Sequence, residues 1–333
     1  MGELVLVCGG AGYIGSICVH ELIETGYDVV VFDNMTKGHK DAVDSRVKEL
    51  VVGDVRNEED LNAVLSKYSF DACMHFCADS LVGESVKVPL KYYDNNMNGA
   101  IELAKALTRH NVGRIVFSST AAIFGEPNPE FVPIAENCPK EPTNPYGETK
   151  LSIEHMLRWT TNAHDLKATC LRYFNAAGAL PNIGEDHSPE SHLIPIVLQV
   201  ALGKRDKLAI FGDDYPTRDG TCVRDYIHVV DLAHAHIKAL EYMKDESPKF
   251  NTFNLGTSNG LTVKEIIETS RKVTGHPIPA DVGPRRDGDP ATLVADSRRA
   301  QEVLGWTVRF GDVESIIRSA WEWHQGHPDG YAQ

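Results

Sequence analysis

Short apolar or β-branched runs alternate with helical patterns along the first third of the chain. Five runs bounded by polar residues predict strands, namely Leu4–Cys8, Val29–Phe32, Glu49–Val52, Ala72–Phe76 and Arg114–Ser118. Between the last two, Tyr92–His110 has apolar residues at helical spacing. Near-continuous apolar strands that alternate with helices predict a parallel sheet with helices on both faces, which is a doubly wound Rossmann-type α/β fold.

The pattern becomes less regular beyond residue 175. Helices are predicted over His192–Leu202, Val229–Met243 and Thr262–Thr274, and strands over Leu208–Phe211 and Asn251–Leu255. Loops rich in Gly, Pro and Asp separate them, which is typical of a smaller α/β lobe built for binding. We therefore assign residues 1–175 and 226–254 to the doubly wound domain, and residues 176–225 and 255–333 to an interleaved substrate-binding lobe.

Charge and composition exclude several classes of protein. Among 333 residues there are 33 Lys and Arg and 47 Asp and Glu, which gives a formal net charge of −14. Such a chain lacks the broad basic surface that nucleic acids or anionic membranes require, although it can hold a local basic pocket. It contains no charged leader and no run of about 20 apolar residues, so we expect a cytoplasmic protein without a membrane span.

Cysteine and histidine usage does not indicate a metal centre. The seven cysteines are scattered without a Cys-x-x-Cys pair, which is typical of reduced thiols in the cytoplasm. His234 and His236 are two residues apart on a predicted helix and point to different faces. His187 and His192 have no cysteine and no obvious carboxylate partner at ligand spacing. We therefore expect no metal site.

A glycine-rich segment follows the first predicted strand and opens a predicted helix. The segment Gly9-Gly10-Ala11-Gly12-Tyr13-Ile14-Gly15 has glycines that allow a tight turn and a close approach of a pyrophosphate to the helix N-terminus. The second predicted strand is followed by Asp33, near the spacing of about 20 residues expected for the acid that binds the adenosine ribose. Its charge would repel a 2′-phosphate, so the sequence predicts NAD rather than NADP as the cofactor.

A tyrosine and a lysine four residues apart, Tyr146 and Lys150, predict the catalytic chemistry. This spacing places them on one helix face, about 5–6 Å apart. Thr120 follows the fifth predicted strand, at the carboxyl edge where α/β folds bind ligands. Ionising a tyrosine of pKa about 10 at pH 7 costs roughly 4 kcal/mol, and an ammonium about 5 Å away offsets about 3 kcal/mol. With a positive nicotinamide adding more, Tyr146 is predicted to act as a phenolate base, Thr120 to orient a substrate hydroxyl, and Lys150 to hold the nicotinamide ribose.

The ordered set of motifs resembles the UDP-glucose (UDP-galactose) 4-epimerases, within the extended short-chain dehydrogenases/reductases, over nearly the whole chain. Besides the glycine loop and the Tyr146–Lys150 pair, the resemblance rests on residues 82–85, 92–96, 171–175, 208–212, 214–217, 223–228 and 284–289. It implies an isomerase in which Tyr146 removes the proton of the sugar 4-hydroxyl while hydride passes from carbon 4 to tightly bound NAD. Hydride then returns to the opposite face of the 4-keto sugar. The doubly wound domain is thus expected to bind NAD, and the second lobe a UDP-hexose.

The resemblance also assigns individual residues to the two ligands. The NAD site is expected to contain Gly9, Gly12, Tyr13, Ile14, Gly15, Asp33, Asn34, Asp54, Val55, Phe76, Asn95, Tyr146, Lys150 and Tyr173. The UDP-sugar site is expected to contain Thr120, Asn175, His192, Leu193, Phe211, Arg224, Arg286, Asp289 and Leu293. Arg286 is expected at the diphosphate, for which a guanidinium fork is well suited. Leu293 lies at the family's sugar-pocket gatekeeper position, where its intermediate size leaves acceptance of N-acetylated sugars open.

Four positions depart from the family pattern. Thr120 replaces a common serine but keeps the hydroxyl, and Cys8 replaces a common threonine before the glycines. Ser80 stands where some relatives have a lysine, so we expect one cofactor contact to be weaker in this chain. His192 replaces an asparagine often used near the diphosphate.

Two other functions stay open at this point. A UDP-glucuronate 4-epimerase or decarboxylase, or another enzyme that modifies a nucleotide sugar, would use the same redox step, and a non-catalytic NAD-binding sensor would keep the fold alone. A 4,6-dehydratase is disfavoured, because the segment Thr120–Ile123 lacks the acids that eliminate water. We also expect a homodimer formed through the helices Tyr92–His110 and Tyr146–Asn162, as is common among the relatives.

Overall fold

A seven-stranded parallel sheet forms the centre of the molecule, whose computed structural model describes residues 2–245, 247–286 and 289–331. The strand order is β11-β6-β5-β4-β1-β2-β3, and every neighbouring pair is parallel. The strands are β1 (Leu4–Cys8), β2 (Asp28–Asp33), β3 (Glu49–Val52), β4 (Ala72–His75), β5 (Arg114–Thr120), β6 (Lys167–Tyr173) and β11 (Phe250–Leu255). The order reverses between β1 and β4, so the predicted doubly wound Rossmann-type fold is confirmed.

Helices cover both faces of this sheet. They are α1 (Tyr13–Glu24), α2 (Glu58–Lys67), α3 (Val82–Lys87), α4 (Pro89–Tyr92), α5 (Gly99–Arg109), α6 (Pro145–Ala163) and α8 (Val229–Tyr242). Because side chains alternate along a strand, β1 contributes Val5 and Val7 to the apolar core under α1 and α8. Its other face contributes Leu6 and Cys8 to a second core, with α2, α5 and α6. Both faces of the strand are buried, which explains its continuous apolar sequence.

The second lobe combines short strands with three packed helices. The short strands in this part of the chain include the pair β7 (Asn175–Ala177) and β10 (Tyr226–His228), which lies at the junction with the doubly wound domain. The others are β8 (Leu208–Phe211), β9 (Val223–Arg224), β12 (Leu261–Thr262), β13 (Ala280–Gly283) and β14 (Thr292–Leu293). The helices α7 (Leu193–Ala201), α9 (Val263–Thr274) and α11 (Val313–Gly326) share one apolar cluster, whereas α10 (Arg298–Leu304) packs beside α8. Between the lobes, β11 returns the chain to the central sheet.

Several elements differ from the sequence-based prediction, and two of them lie in the doubly wound domain beside the site. The strand β6 was not predicted, because Arg172 places a charge in a strand that is buried on both faces. The predicted helix Tyr92–His110 is divided, since a π-helical turn (Tyr93–Asn98) separates α4 from α5. Such turns are frequent at functional sites, and this one carries Asn95. In the described parts of the chain, no helix combines the length and the apolar character needed to cross a membrane.

Candidate active site

The strands of the central sheet end at a common edge, and residues predicted to bind the cofactor follow one strand after another. Thr120 and Tyr173 end β5 and β6 and lie opposite each other in register. Across this edge the order of the predicted residues is Tyr173, Thr120, Phe76, Gly9, Asp33 and Asp54. Six segments that are distant in sequence thus meet at the edge where doubly wound folds bind ligands.

The glycine loop leaves open space above the first turn of α1. Gly9 has φ +80°, and a Cβ atom there would lie 2.8 Å from the Cys77 amide nitrogen. A Cβ on Gly15 would lie 2.0 Å from the Gly9 carbonyl oxygen, so this glycine allows the close approach of helix and loop. A Cβ on Gly12 would meet nothing closer than 3.5 Å. The unobstructed Gly12 at the helix N-terminus therefore fits an incoming pyrophosphate.

Acidic side chains beside this loop are held in fixed orientations. Asp33 accepts hydrogen bonds from the Ala11 amide at 3.0 Å and from the Met35 amide at 2.9 Å. Asp54 accepts from the Asn34 side chain at 3.1 Å and from Arg56, which holds the pKa of the Asp54 carboxyl well below its usual range. The carboxylate of Asp33 is thus fixed against the glycine loop, as the ribose-binding role requires.

Tyr146, Lys150 and Thr120 meet at the same edge. Asn144 caps α6 by accepting a hydrogen bond from the Gly147 amide at 2.9 Å, which determines where the helix begins. Lys150 is 2% exposed and donates to the Ser118 carbonyl at 2.7 Å, with Nζ 5.9 Å from the centre of the Tyr146 ring. The predicted hydroxyl, phenol and ammonium groups are therefore gathered in one site.

The electrostatics of this trio differ from the sequence argument. Burial lowers the pKa of Lys150 to about 7. Burial also raises the pKa of Tyr146, and the Thr120 hydroxyl offsets this only in part. The offset of about 3 kcal/mol expected from a full lysine charge is therefore not supplied by the side chains alone. A positive charge brought by a ligand is needed to make Tyr146 a base near neutral pH.

Several residues that stabilise the site were missed by the sequence analysis. Ser118 hydrogen-bonds the Tyr173 hydroxyl through its own hydroxyl, while its carbonyl accepts from Lys150. The Asn96 side chain accepts a hydrogen bond from the side-chain amide of Asn95 at 3.1 Å and donates one to the Asp79 carbonyl at 3.0 Å. These bonds orient the π-helical turn. The only sequence signal was position, because Ser118 lies two residues before Thr120 and Asn96 follows Asn95.

A buried ion pair fixes α6 against the sheet. Arg172 and Glu154 form a two-pronged contact with a shortest distance of 2.6 Å, and each side chain is 3% exposed. The Ser119 hydroxyl donates to Glu154 at 2.6 Å. Glu154 follows Lys150 by one helical turn, so this network determines how Lys150 faces β5.

The predicted UDP-sugar residues form two groups in the second lobe. In one, Arg224 contacts Asp289 at 2.6 Å and lies in register with Leu293 on β14. In the same lobe the Arg286 guanidinium lies 4.0 Å from the centre of the Phe211 ring. Leu293 also packs against an apolar cluster that includes Ala121, Ile123 and Phe124 after Thr120, which connects this group to the catalytic edge. Asn175 begins β7 nearby, pairing with β10.

The second group lies at the start of α7. Its N-cap is His192, which hydrogen-bonds Glu185 at 2.7 Å and Glu190 at 3.0 Å, and Leu193 is the first helical residue. Near this group, Tyr13 donates from its hydroxyl to the Gly178 carbonyl at 2.6 Å. The remaining two predicted cofactor residues lie in different cores: Ile14 on α1 is partly buried against the first core, and Val55 after β3 is buried in the second.

Fold and site together define a dinucleotide-dependent enzyme of the class that modifies nucleotide sugars. A family model described as GDP-mannose 4,6 dehydratase matches residues 6–319. UDP-glucose 4-epimerase from Halalkalibacterium halodurans is 55% identical over 330 residues, which is 98% of this chain and 97% of the relative.

Solved structures agree with these relatives. A crystal structure of a UDP-glucose 4-epimerase superposes with a TM-score of 0.96 at 51% identity, covering 99% of this chain and 100% of the other. The Bifidobacterium longum enzyme, crystallised with NAD⁺ and UDP, gives a TM-score of 0.93 at 39% identity, with 99% and 100% covered. The chain belongs to the UDP-glucose 4-epimerase family, and the resemblance inferred from its motifs is confirmed.

Proposed function

We propose that the protein interconverts UDP-galactose and UDP-glucose by NAD-dependent inversion at carbon 4 of the hexose. The observation that carries this proposal is the meeting of Thr120, Tyr146 and Lys150 at the sheet edge that also holds the glycine loop. At the level of the family, the predicted isomerase class and the predicted use of NAD are confirmed.

The residues at the sheet edge fit an oxidised dinucleotide. The open space at Gly12 would receive the pyrophosphate, the Asp33 carboxylate, fixed by the Ala11 amide, would receive the adenosine ribose, and Lys150 would hold the nicotinamide ribose. The chemistry supplied by bound NAD is reversible hydride exchange at carbon 4 of the sugar. The other residues predicted to bind the cofactor, among them Asn34 and Tyr173, would line this same edge.

Tyr146 then takes and returns the proton of the sugar 4-hydroxyl. Burial raises the pKa of Tyr146 and lowers that of Lys150 to about 7, so the phenol stays protonated until a cation lies beside it. The positive charge of oxidised nicotinamide favours the phenolate at the stage when a base is required. Thr120 orients the 4-hydroxyl toward Tyr146.

The second lobe holds the UDP moiety while the hexose changes face. Arg286 and Arg224 provide charge for the diphosphate, and Phe211 presents an exposed ring beneath Arg286. Asn175, Asp289 and the group at His192 and Leu193 complete the proposed contacts. Leu293 lies between this lobe and the residues after Thr120, so its volume limits the group carried by the sugar.

The division into lobes and the assembly are parts of the same proposal. Residues 1–175 and 226–254 form the NAD-binding domain, and 176–225 with 255–333 form the UDP-sugar lobe. We place the protein in the cytoplasm as a homodimer that pairs through the α5 and α6 region. Exposed apolar side chains on the adjoining α3, α4 and α6 support this surface, including Val86, Leu90 and Trp159.

The test follows UDP-galactose conversion by the purified protein, with a UDP-glucose dehydrogenase that reports product formation. Parallel reactions offer UDP-glucuronate and UDP-N-acetylglucosamine and separate the products by chromatography. We expect turnover of UDP-galactose, and when chromatography replaces the reporter enzyme and its NAD⁺, this turnover should require no added oxidant. Turnover of UDP-glucuronate without turnover of UDP-galactose would reject the proposed substrate while leaving the redox chemistry intact. Binding of NAD without turnover of any of the three sugars would favour a sensor.

A further inference from the structure

Two histidines and two glutamates converge in the segment that leads into α7. The side chains of Glu185, His187, Glu190 and His192 each present one ligand atom, and these four atoms lie within 4.8 Å of one another. Such a group was not expected from the sequence, because His187 and His192 had no obvious carboxylate partners at ligand spacing. That premise is wrong, since the fold of this loop brings both glutamates to both histidines.

The distances among these atoms match a tetrahedral cation site. His192 Nδ1 lies 2.7 Å from Glu185 Oε1 and 3.0 Å from Glu190 Oε1. His187 Nδ1 lies 3.1 Å from Glu185 Oε1 and 4.0 Å from Glu190 Oε2. Four ligands bonded to Zn²⁺ at about 2.0–2.1 Å stand about 3.3–3.4 Å from one another. The present separations run from 2.7 Å to at most 4.8 Å, so shifts of up to about 1.5 Å, which side-chain rotation can supply, would admit the ion.

Charge balance gives an independent reason for a cation. The Glu185 and Glu190 side chains are only 6% and 4% exposed, and two buried carboxylates require two positive charges nearby. One divalent cation with two neutral imidazoles balances both carboxylates.

We propose that Glu185, His187, Glu190 and His192 bind one Zn²⁺ ion as a structural site. Two imidazole nitrogens with two carboxylate oxygens suit Zn²⁺, whereas Mg²⁺ and Ca²⁺ prefer sites made of oxygen ligands alone. Backbone amides of Ser191 and His192 donate to Glu190 Oε1 at 2.7 and 2.8 Å, which orients this carboxylate from outside the site.

The position of the site indicates what the ion stabilises. The His187 ring packs edge-on against Tyr13 at a centroid distance of 6.2 Å, and Tyr13 is the first residue of α1 after the glycine loop. His192 is the N-cap of α7. Next to His187 in the sequence, Asp186 accepts a hydrogen bond from the Tyr331 amide at 3.0 Å. The ion therefore fixes a loop that touches the start of two helices, each of which carries residues predicted at a diphosphate.

Metal uptake by the holoenzyme tests this site without reference to activity. Protein with its bound nucleotide is dialysed against a chelator, titrated with Zn²⁺ or Co²⁺, and analysed by elemental mass spectrometry and visible absorption. We expect one ion per chain, intense Co²⁺ bands of tetrahedral geometry, and a higher melting temperature with Zn²⁺. In His187→Ala the dissociation constant should rise by at least about 100-fold, since losing even an outer-shell partner costs about 10–100-fold.

Two further variants keep the outcome interpretable. Glu190→Gln preserves shape and should also weaken Zn²⁺ binding, and it serves if His187→Ala does not fold. His164→Ala removes an exposed histidine after α6 and should bind Zn²⁺ like the parent protein. Failure of the parent protein to take up either ion stoichiometrically, or parent-like binding in both His187→Ala and Glu190→Gln, would overturn the proposal. Both results are independent of which sugar the enzyme turns over.

Discussion

The sheet edge that we assign to NAD and the lobe that we assign to the UDP-sugar are built in different ways. At the edge, functional groups are placed by strand ends and buried contacts, and Lys150 is 2% exposed while Thr120 is 8% exposed. In the second lobe, Arg224, Arg286 and Phe211 extend from strands of two to four residues or from loops, and Phe211 is 37% exposed. We infer from this difference that the redox site is rigid, whereas ion pairs in the second lobe, such as Arg224–Asp289, can rearrange when a ligand binds.

The glycine loop provides the sharpest test of rigidity at the cofactor edge. In Gly15→Ala, the new Cβ would lie 2.0 Å from the Gly9 carbonyl, so we expect a loss of unfolding free energy of about 1–3 kcal/mol or more. In the matched Gly12→Ala the nearest atom is 3.5 Å away, so the loss of stability should stay within about 1 kcal/mol.

Bound NAD should nevertheless fall in Gly12→Ala, because the added methyl group occupies the space of the pyrophosphate. Urea unfolding and the amount of nucleotide retained per chain separate the two effects. Equal stability in both variants would contradict the packing argument, and normal NAD content in Gly12→Ala would remove this glycine from the cofactor site.

Neighbouring arginines test the second lobe. Arg286→Ala should raise KM for UDP-galactose by about 10–100-fold with little change in kcat, because charge-assisted hydrogen bonds are worth roughly 1.5–3 kcal/mol. Arg285→Ala is the control, since Arg285 stacks on Tyr215 and contacts Asp214 instead. Steady-state kinetics of both variants give the comparison. Equal increases in KM for the two variants would show that binding of UDP-galactose depends on the net charge of the lobe rather than on the position of Arg286.

A pH dependence of stability is expected from Lys150. Its pKa is about 7 in the folded chain and about 10.4 when unfolded, so between these values the unfolded chain binds more protons. The penalty for burying the ammonium is thus present below pH 7 and is relieved as pH rises toward 10. Lys150→Met should therefore exceed the parent protein in stability more at pH 6 than at pH 9, in urea unfolding of nucleotide-free protein. A constant difference would contradict the lowered pKa.

Local spacing was sufficient to predict the cofactor edge. Strand ends identify Asp33 and Thr120, and the four-residue interval pairs Tyr146 with Lys150, because parallel strands and one helical turn convert sequence spacing directly into position. Burial was not accessible in the same way. The pKa of Lys150 near 7 depends on how completely the side chain is enclosed, which spacing does not reveal.

Side-chain contacts that depend on the path of the backbone could not be predicted. Strand β6 was not predicted because it contains the charged Arg172, and a charge without a visible partner argues against a buried strand. The partner, Glu154, lies on another element. Similarly, His187 and His192 acquire Glu185 and Glu190 only through the path of the loop before α7. In both cases the residue types were visible in the sequence and their pairing was not.

The central claim is that Tyr146 serves a hydride transfer that leaves carbon 4 and returns to it within one site. The most direct measurement uses UDP-galactose with deuterium at carbon 4 and examines the UDP-glucose product by NMR. Because the same hydride returns to the sugar, we predict that the label stays at carbon 4. Tyr146→Phe should retain NAD and slow conversion by about 10²–10⁴-fold, whereas Tyr68→Phe, whose hydroxyl binds Glu49, should not. Loss of deuterium to solvent, or parent-like conversion by Tyr146→Phe, would contradict the account.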